Sequence, residues 1–155
     1  MYEKYWSLND RPFRNTPDPH YVFFSRQHEE AMTRMLYTIT EGQGAMMLTG
    51  EYGCGKTLLS HILLDELDPE RFEVALIHYP NLAATELLQE ILRQFGFETP
   101  GLNKVQLLHL LGEFLQANQA RGGSTLILID EAQMVLDPMT MEEIRLLLNF
   151  QQDRR

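Results

Sequence analysis

Apolar side chains recur along this chain with two different periods. Ala31, Met32, Met35, Leu36 and Ile39 fall at three- and four-residue steps, the spacing that gathers side chains on one face of a helix. Ser25 stands in front of them as an N-cap, so the pattern predicts a helix from about Arg26 to Thr40, ended by Gly42 and Gly44. The same spacing over Leu87, Leu88, Ile91, Leu92 and Phe95 predicts a helix from Ala84 to Phe95, with Gly96 as its stop. A leucine-rich helix is expected over Lys104 to Ala120 before Gly122-Gly123, and others over Lys56 to Leu67 and Met141 to about Gln151.

Three stretches have no helical period. Ala45 to Thr49, Val74 to Tyr79, and Thr125 to Asp130 are short runs with few polar interruptions. The nearly continuous apolar character of Val74 to Tyr79 implies a strand buried on both faces, as in parallel sheets. Strands then alternate with helices, which places the chain in the α/β class with a parallel sheet. Residues 1–24 break both patterns. They combine Tyr2, Tyr5, Trp6, Phe13, Tyr21, Phe23 and Phe24 with Pro12, Pro17 and Pro19, and residues preceding prolines are driven to extended conformations. This segment is expected to be irregular, anchored by its rings, and part of it to wall an adenine pocket. The expected organisation is this segment followed by one α/β domain over residues 25–155.

Composition narrows the class. The 155 residues carry 13 Lys and Arg against 22 Asp and Glu, a formal net charge of −9. No basic cluster is present to neutralise a phosphate backbone, so nucleic acid is not an expected partner of this segment. One cysteine, Cys54, excludes an internal disulfide and fits a reducing compartment. No run approaches the roughly 18 apolar residues of a membrane span, and the N-terminus lacks a signal-peptide core. The chain reads as cytoplasmic.

Between the first apolar run and the helix after it lies Gly50-Glu51-Tyr52-Gly53-Cys54-Gly55-Lys56-Thr57. This fits G-x-x-x-x-G-K-[ST], the Walker A phosphate loop, in its required strand-loop-helix setting. Glycines let the backbone approach a phosphate, and successive N–H groups at the helix start converge on the anion. The nucleotide-binding set is therefore Gly50, Glu51, Tyr52, Gly53, Cys54, Gly55, Lys56, Thr57 and Leu58. Lys56 is placed on the β- and γ-phosphates, and the Thr57 hydroxyl on Mg²⁺. Cys54 fills a variable slot of the loop. Reactivity of its thiol would need exposure as well as a position near a helix start.

The third apolar run ends in Asp130-Glu131, a Walker B pattern. Carboxylates at the end of a buried strand need a reason, because desolvating charge is costly. Mg²⁺ supplies it: Asp130 is expected to hold the metal, directly or through water. Glu131 is expected to orient and deprotonate the attacking water, with Lys56 as the other catalytic group. A P-loop kinase is the competing enzyme. A glutamate directly after the strand-end aspartate favours hydrolysis, because a hydrolase positions water and a kinase excludes it. The histidines show no metal-ligand spacing, and His61 is expected to pack.

The chain also resembles a known family. Trp6-Ser7-Leu8, Arg11-Pro12-Phe13 and Thr16-Pro17-Asp18-Pro19 look like the N-terminus of the general secretion pathway protein A family. So do Ser25-Arg26-Gln27-His28-Glu29-Glu30-Ala31-Met32, Leu48-Thr49-Gly50-Glu51, Asp130-Glu131-Ala132-Gln133, and Glu142 to Leu147 followed by Asn149. These are AAA+ ATPases, related to the mannose-sensitive pilus protein M and to exosortase-associated ATPases. The resemblance implies a three-layer P-loop NTPase fold, ATP and Mg²⁺ as cofactors, and a ring or filament of identical subunits. It also implies an inner-membrane or envelope-assembly protein as partner. The AAA+ strand order is 5-1-4-3-2, and only strands 1, 2 and 3 are expected here. The fourth and fifth strands, the lid and the arginine finger are expected beyond Arg155, which makes this the N-terminal part of an ATPase domain with weak nucleotide binding and little turnover of its own. The leading functional reading is ATP hydrolysis that powers assembly or export at the cell envelope. A DNA-associated AAA+ regulator of transposition and a slowly hydrolysing ATP switch are the alternatives.

Overall fold

The computed structural model describes residues 2–9 and 22–151. Helix α1 is the short turn Tyr2–Tyr5, α2 is Arg26–Thr40 and α3 is Lys56–Glu66. Strand β1, Phe72–Ile77, is followed by α4, Ala84–Gln94, and α5, Lys104–Ala120. Strand β2, Ser124–Ile129, leads through a 3-10 turn, Ala132–Met134, into α6, Pro138–Leu147. A second 3-10 turn, Leu148–Gln151, follows. The chain divides into two compact units, residues 1–41 with 46–66, and residues 42–45 with 67–155.

The first unit is built by α2 and α3. The Ser25 hydroxyl accepts the His28 N–H at 3.3 Å and starts α2 where the sequence places it. Met32 and Met35 of α2 then meet Leu59 and Leu63 of α3 in a small core. Phe24 and Leu48 pack against it. Phe24 is thereby a packing ring, whereas Tyr5, Trp6 and Phe23 are exposed. Part of the segment expected to wall an adenine pocket, including Pro12, Phe13, Pro17, Pro19 and Tyr21, lies outside the described residues.

One expected strand is absent. Residues 45–49 enter no ladder, and Met46 and Met47 are exposed. Leu48 alone of the run is half-buried, against the α2–α3 core. A strand needs a neighbour to take its N–H and C=O groups, and the strand that the AAA+ order sets beside this one is not among the described residues. Apolarity alone does not make a ladder.

The second unit holds the sheet. Strands β1 and β2 pair in parallel, in register from Phe72↔Ser124 to Ile77↔Ile129. Two strands joined through two helices satisfy the need of a parallel pair for a long crossover. Ala75 and Ile77 of β1 are sealed against Leu87, Leu88, Ile91 and Leu92 of α4 and Leu107 and Leu111 of α5. Ile127 and Ile129 of β2, and Ile144 and Leu147 of α6, border the same core. Phe114 stacks on Phe95 at 4.5 Å and meets Phe97 edge-on at 5.5 Å, closing the far end of the α4–α5 pair.

Burial on both faces is not observed. Within β1 only Ala75 and Ile77 are buried, Val74 and Leu76 are half-buried, and all of β2 is half-buried. Among the described residues the helices of this unit cover one face, so the strands have one sealed face and one partly open face.

Helix ends follow local chemistry. Asn103 and Gln106 bond reciprocally, Asn103 Oδ1 taking the Gln106 N–H at 3.0 Å and Gln106 Oε1 taking the Asn103 N–H at 2.9 Å. The α6 helix begins three residues before the expected Met141, because Asp137 caps it and Pro138 occupies the first turn. Thr140, fully buried, places its hydroxyl 2.8 Å from the Leu82 carbonyl and 2.9 Å from Asp137 Oδ2. Glu143, also buried, pairs with Lys104. These contacts fasten α6 to the loop after β1 and to the start of α5.

Candidate phosphate loop and strand-end carboxylates

The loop between the apolar run and α3 is shaped by its glycines. Gly53 and Gly55 have φ of 77° and 87°, the left-handed region where a Cβ is costly. Gly50 is constrained by space instead: a Cβ there would lie 2.7 Å from Cys54 Sγ. The loop folds back on itself, with the Cys54 N–H directed to the Glu51 carbonyl at 3.4 Å. Gly55 opens α3, its carbonyl taking the Leu59 N–H at 2.9 Å. The N–H groups of Lys56, Thr57 and Leu58 therefore precede the first helical hydrogen bond.

Lys56 lies against this loop. Its Nζ donates to the Gly50 carbonyl at 3.0 Å and the Glu51 carbonyl at 2.9 Å, and stands 3.9 Å from Cys54 Sγ. An ammonium is thus fixed beside a glycine turn at a helix start. Gly55, Lys56, Thr57 and Leu58 are half-buried, while Glu51, Gly53, Cys54 and Tyr52 are exposed. Positive charge, N–H groups and room for close approach are the donor set that a chain of phosphates requires. The residues present fit a nucleotide's phosphates.

A contact that the sequence does not reveal joins α2 to this loop. His28 Nε2 lies 2.9 Å from the Cys54 carbonyl oxygen. The only trace in the sequence is the spacing from Ser25, which puts His28 in the first turn of α2.

The second candidate group ends β2. The Asp130 N–H donates to the Ile77 carbonyl at 2.9 Å, continuing the ladder one step past the last paired residues. Glu131 then turns left-handed, at φ 50° and ψ 39°, a conformation that costs a non-glycine residue of order 1 kcal/mol. Asp130 Oδ1 takes the Glu131 N–H at 2.9 Å, and the Glu131 carbonyl takes the Met134 N–H at 2.8 Å. The Gln133 side-chain amide donates to Glu131 Oε2. Asp130, Glu131 and Gln133 thus form one tight unit at the strand's carboxyl end. Gln133 was visible in the sequence as part of the Asp130-Glu131-Ala132-Gln133 stretch, but not its role as a partner of Glu131.

Among the described residues, no three or more His, Cys, Asp or Glu side chains gather as a metal cage. Mg²⁺ rarely uses such a cage. It keeps several waters and takes one or two protein oxygens besides phosphate, which the Thr57 hydroxyl and the Asp130 carboxylate match in kind. No helix among the described residues is long and apolar enough to cross a membrane.

Comparison with known proteins identifies a family and a relative. The profile of the AAA domain family matches residues 39–155. General secretion pathway protein A of Aeromonas hydrophila is 37% identical over 156 residues, covering 100% of this chain and 28% of that protein. The chain therefore spans little more than a quarter of that relative's length. No solved structure matches.

Proposed function

The chain belongs to the AAA domain family, and from that premise we propose that it is an ATPase of the general secretion pathway protein A type that binds ATP through Gly50–Thr57 and hydrolyses it. The observation that carries this reading is the Lys56 ammonium fixed by two loop carbonyls beside left-handed Gly53 and Gly55. In the proposed reaction, Lys56 balances negative charge on the β- and γ-phosphates. The N–H groups that begin α3 bind the phosphate oxygens, with Glu51, Tyr52, Cys54 and Leu58 as the flanking walls. Thr57 and Asp130 are the residues assigned to Mg²⁺, which when bound supplies charge neutralisation at the phosphates. Glu131 acts as the base. Gln133 holds one carboxylate oxygen, Oε2, which leaves Oε1 to take the proton from the attacking water. The apolar second face of the sheet, Val74 and Leu76 beside Leu126 and Leu128, is the one that the outer layer of a three-layer α/β/α fold would cover.

The relative's printed name supports a secretion-pathway setting, to which the family resemblance adds envelope assembly. The chain serves a secretion-type assembly or export process at the cell envelope, from the cytoplasmic side. It works as a ring or filament with an inner-membrane or envelope protein as partner. The acidic balance, with a net charge of −9, favours this over a DNA-bound regulator.

Titration calorimetry with Mg-ATP tests the reading. Binding by the parent chain, weakened at least about tenfold by Lys56→Ala, is the expected result. Equal affinity in the two proteins would overturn the assignment of this loop.

A further inference from the structure

His28 has no assigned role, yet its ring reaches across 26 residues to the phosphate loop. We infer that His28 is a positioning residue for the phosphate loop: it latches the Cys54–Gly55 peptide in the orientation that turns the Gly55 N–H toward a bound phosphate. The inference rests on the nucleotide reading above.

The chemistry begins with the partner. A carbonyl oxygen only accepts, so the Nε2 that lies 2.9 Å from it must carry a proton and donate. The peptide between Cys54 and Gly55 is trans, so its C=O and N–H point to opposite sides of the chain. A carbonyl held toward α2 therefore directs the Gly55 N–H away from α2.

The latch is needed because of the residue that follows. Gly55 sits at φ 87°, and glycine occupies positive and negative φ with similar ease. A peptide preceding a glycine can rotate by about half a turn at little local cost. That rotation would exchange an N–H for a C=O at an anion site, replacing attraction with repulsion. The Cys54 N–H approaches the Glu51 carbonyl at 3.4 Å, which restrains the neighbouring peptide and not this one.

The latch is itself well anchored. His28 stands in the first turn of α2, where its own N–H is taken by Ser25, and α2 is fixed to α3 through Met32, Met35, Leu59 and Leu63. His28 as a residue is half-buried, and its Nε2 lies 3.8 Å from the position a Gly55 Cβ would take. The helix that holds the ring and the helix that the loop opens thus share one core.

Mg-ATP affinity in four proteins tests the inference: the parent chain, His28→Gln, His28→Asn and His28→Leu. Glutamine places its amide nitrogen near the Nε2 position, whereas asparagine stops short near Nδ1. The expected result is a loss of about five- to tenfold for Asn and Leu, with Gln within about threefold of the parent. Thermal melts accompany the titrations. If His28→Leu does not fold, the Gln and Asn pair carries the comparison alone, since both keep a polar side chain. Parent-like binding by Asn overturns the inference, and so does a Gln variant as weak as Asn. A folded parent chain that binds no Mg-ATP overturns the nucleotide reading and this inference with it. A parent that binds while the four affinities agree overturns the role of His28 alone.

Discussion

Gln133 donates its side-chain amide to the Glu131 carboxylate from two residues downstream, across a turn in which Glu131 is left-handed. A flexible acid becomes a fixed one. Glu131→Gln should lower Mg-ATP turnover by about 10²–10⁴-fold while leaving nucleotide affinity nearly intact. Gln133→Ala should cost less, about three- to tenfold, because the base survives but loses its restraint. Steady-state phosphate release checks both, and turnover unchanged in Glu131→Gln would remove Glu131 as the base.

Gly50 and Cys54 are coupled by space. Gly50→Ala sets a Cβ 2.7 Å from Cys54 Sγ, so the thiol must leave its rotamer beside Lys56. Weaker Mg-ATP binding is expected in Gly50→Ala, and recovery of most of the loss in Gly50→Ala/Cys54→Ala, where the clashing atom is gone. A double variant as weak as the single one would show that Gly50 is needed for its backbone and not for room.

Lys104 and Glu143 form the ion pair between α5 and α6, with Glu143 buried and Lys104 partly exposed. Lys104→Met leaves a buried carboxylate without its cation, and a stability loss of about 1–3 kcal/mol is expected. Adding Glu143→Leu should restore much of it, since an apolar pair of similar volume avoids the desolvation cost. Urea unfolding of the four proteins in the cycle provides the coupling. Additive losses would show that the pair contributes no interaction energy.

Acid should loosen α6 through its cap. The Thr140 hydroxyl, with the Met139 N–H, holds the Asp137 carboxyl below its ordinary range. A depressed folded-state pKa gives stability that is present above the unfolded value and lost as pH falls through the folded one. Glu142, lowered by its hydrogen bond to Arg145, contributes in the same direction. Asp137→Asn should flatten the acid limb of the pH–stability curve, read from thermal melts between neutral pH and the carboxylate range. An acid limb identical to the parent's would exclude Asp137 as a source.

Most of this architecture is legible in the sequence, for identifiable reasons. Ser25 and Asn103 mark helix starts because their side chains bond the first-turn N–H groups locally. Asp137-Pro138 carried the same information for α6, but the apolar spacing drew the expected start to Met141. The start of β1 at Phe72 and not Val74 is set by its partner: the Ser124 N–H donates to the Arg71 carbonyl at 2.8 Å, a contact about fifty residues away that no local pattern encodes. The apolar run at residues 45–49 shows the converse, since local pattern without a neighbour gives no strand. The site divides the same way. Glycine spacing announces the loop, and strand-end acids announce Asp130 and Glu131. The left-handed turn at Glu131 and the reach of His28 arise only in three dimensions.

The parallel register of β1 and β2 bears on the order in which this unit assembles. Each residue of one strand meets a residue about fifty positions along the chain, so loop-closure entropy must be met before any rung forms. The α4–α5 hairpin lies wholly inside that span and contributes Leu87, Leu88, Ile91, Leu92, Leu107 and Leu111 to the core. It is local, helical and able to collapse first. During synthesis, β1 leaves the ribosome with no strand to meet until that hairpin has emerged. The helices are then the surface on which β1 waits, and the seam with β2, together with the carboxylates at its end, closes last.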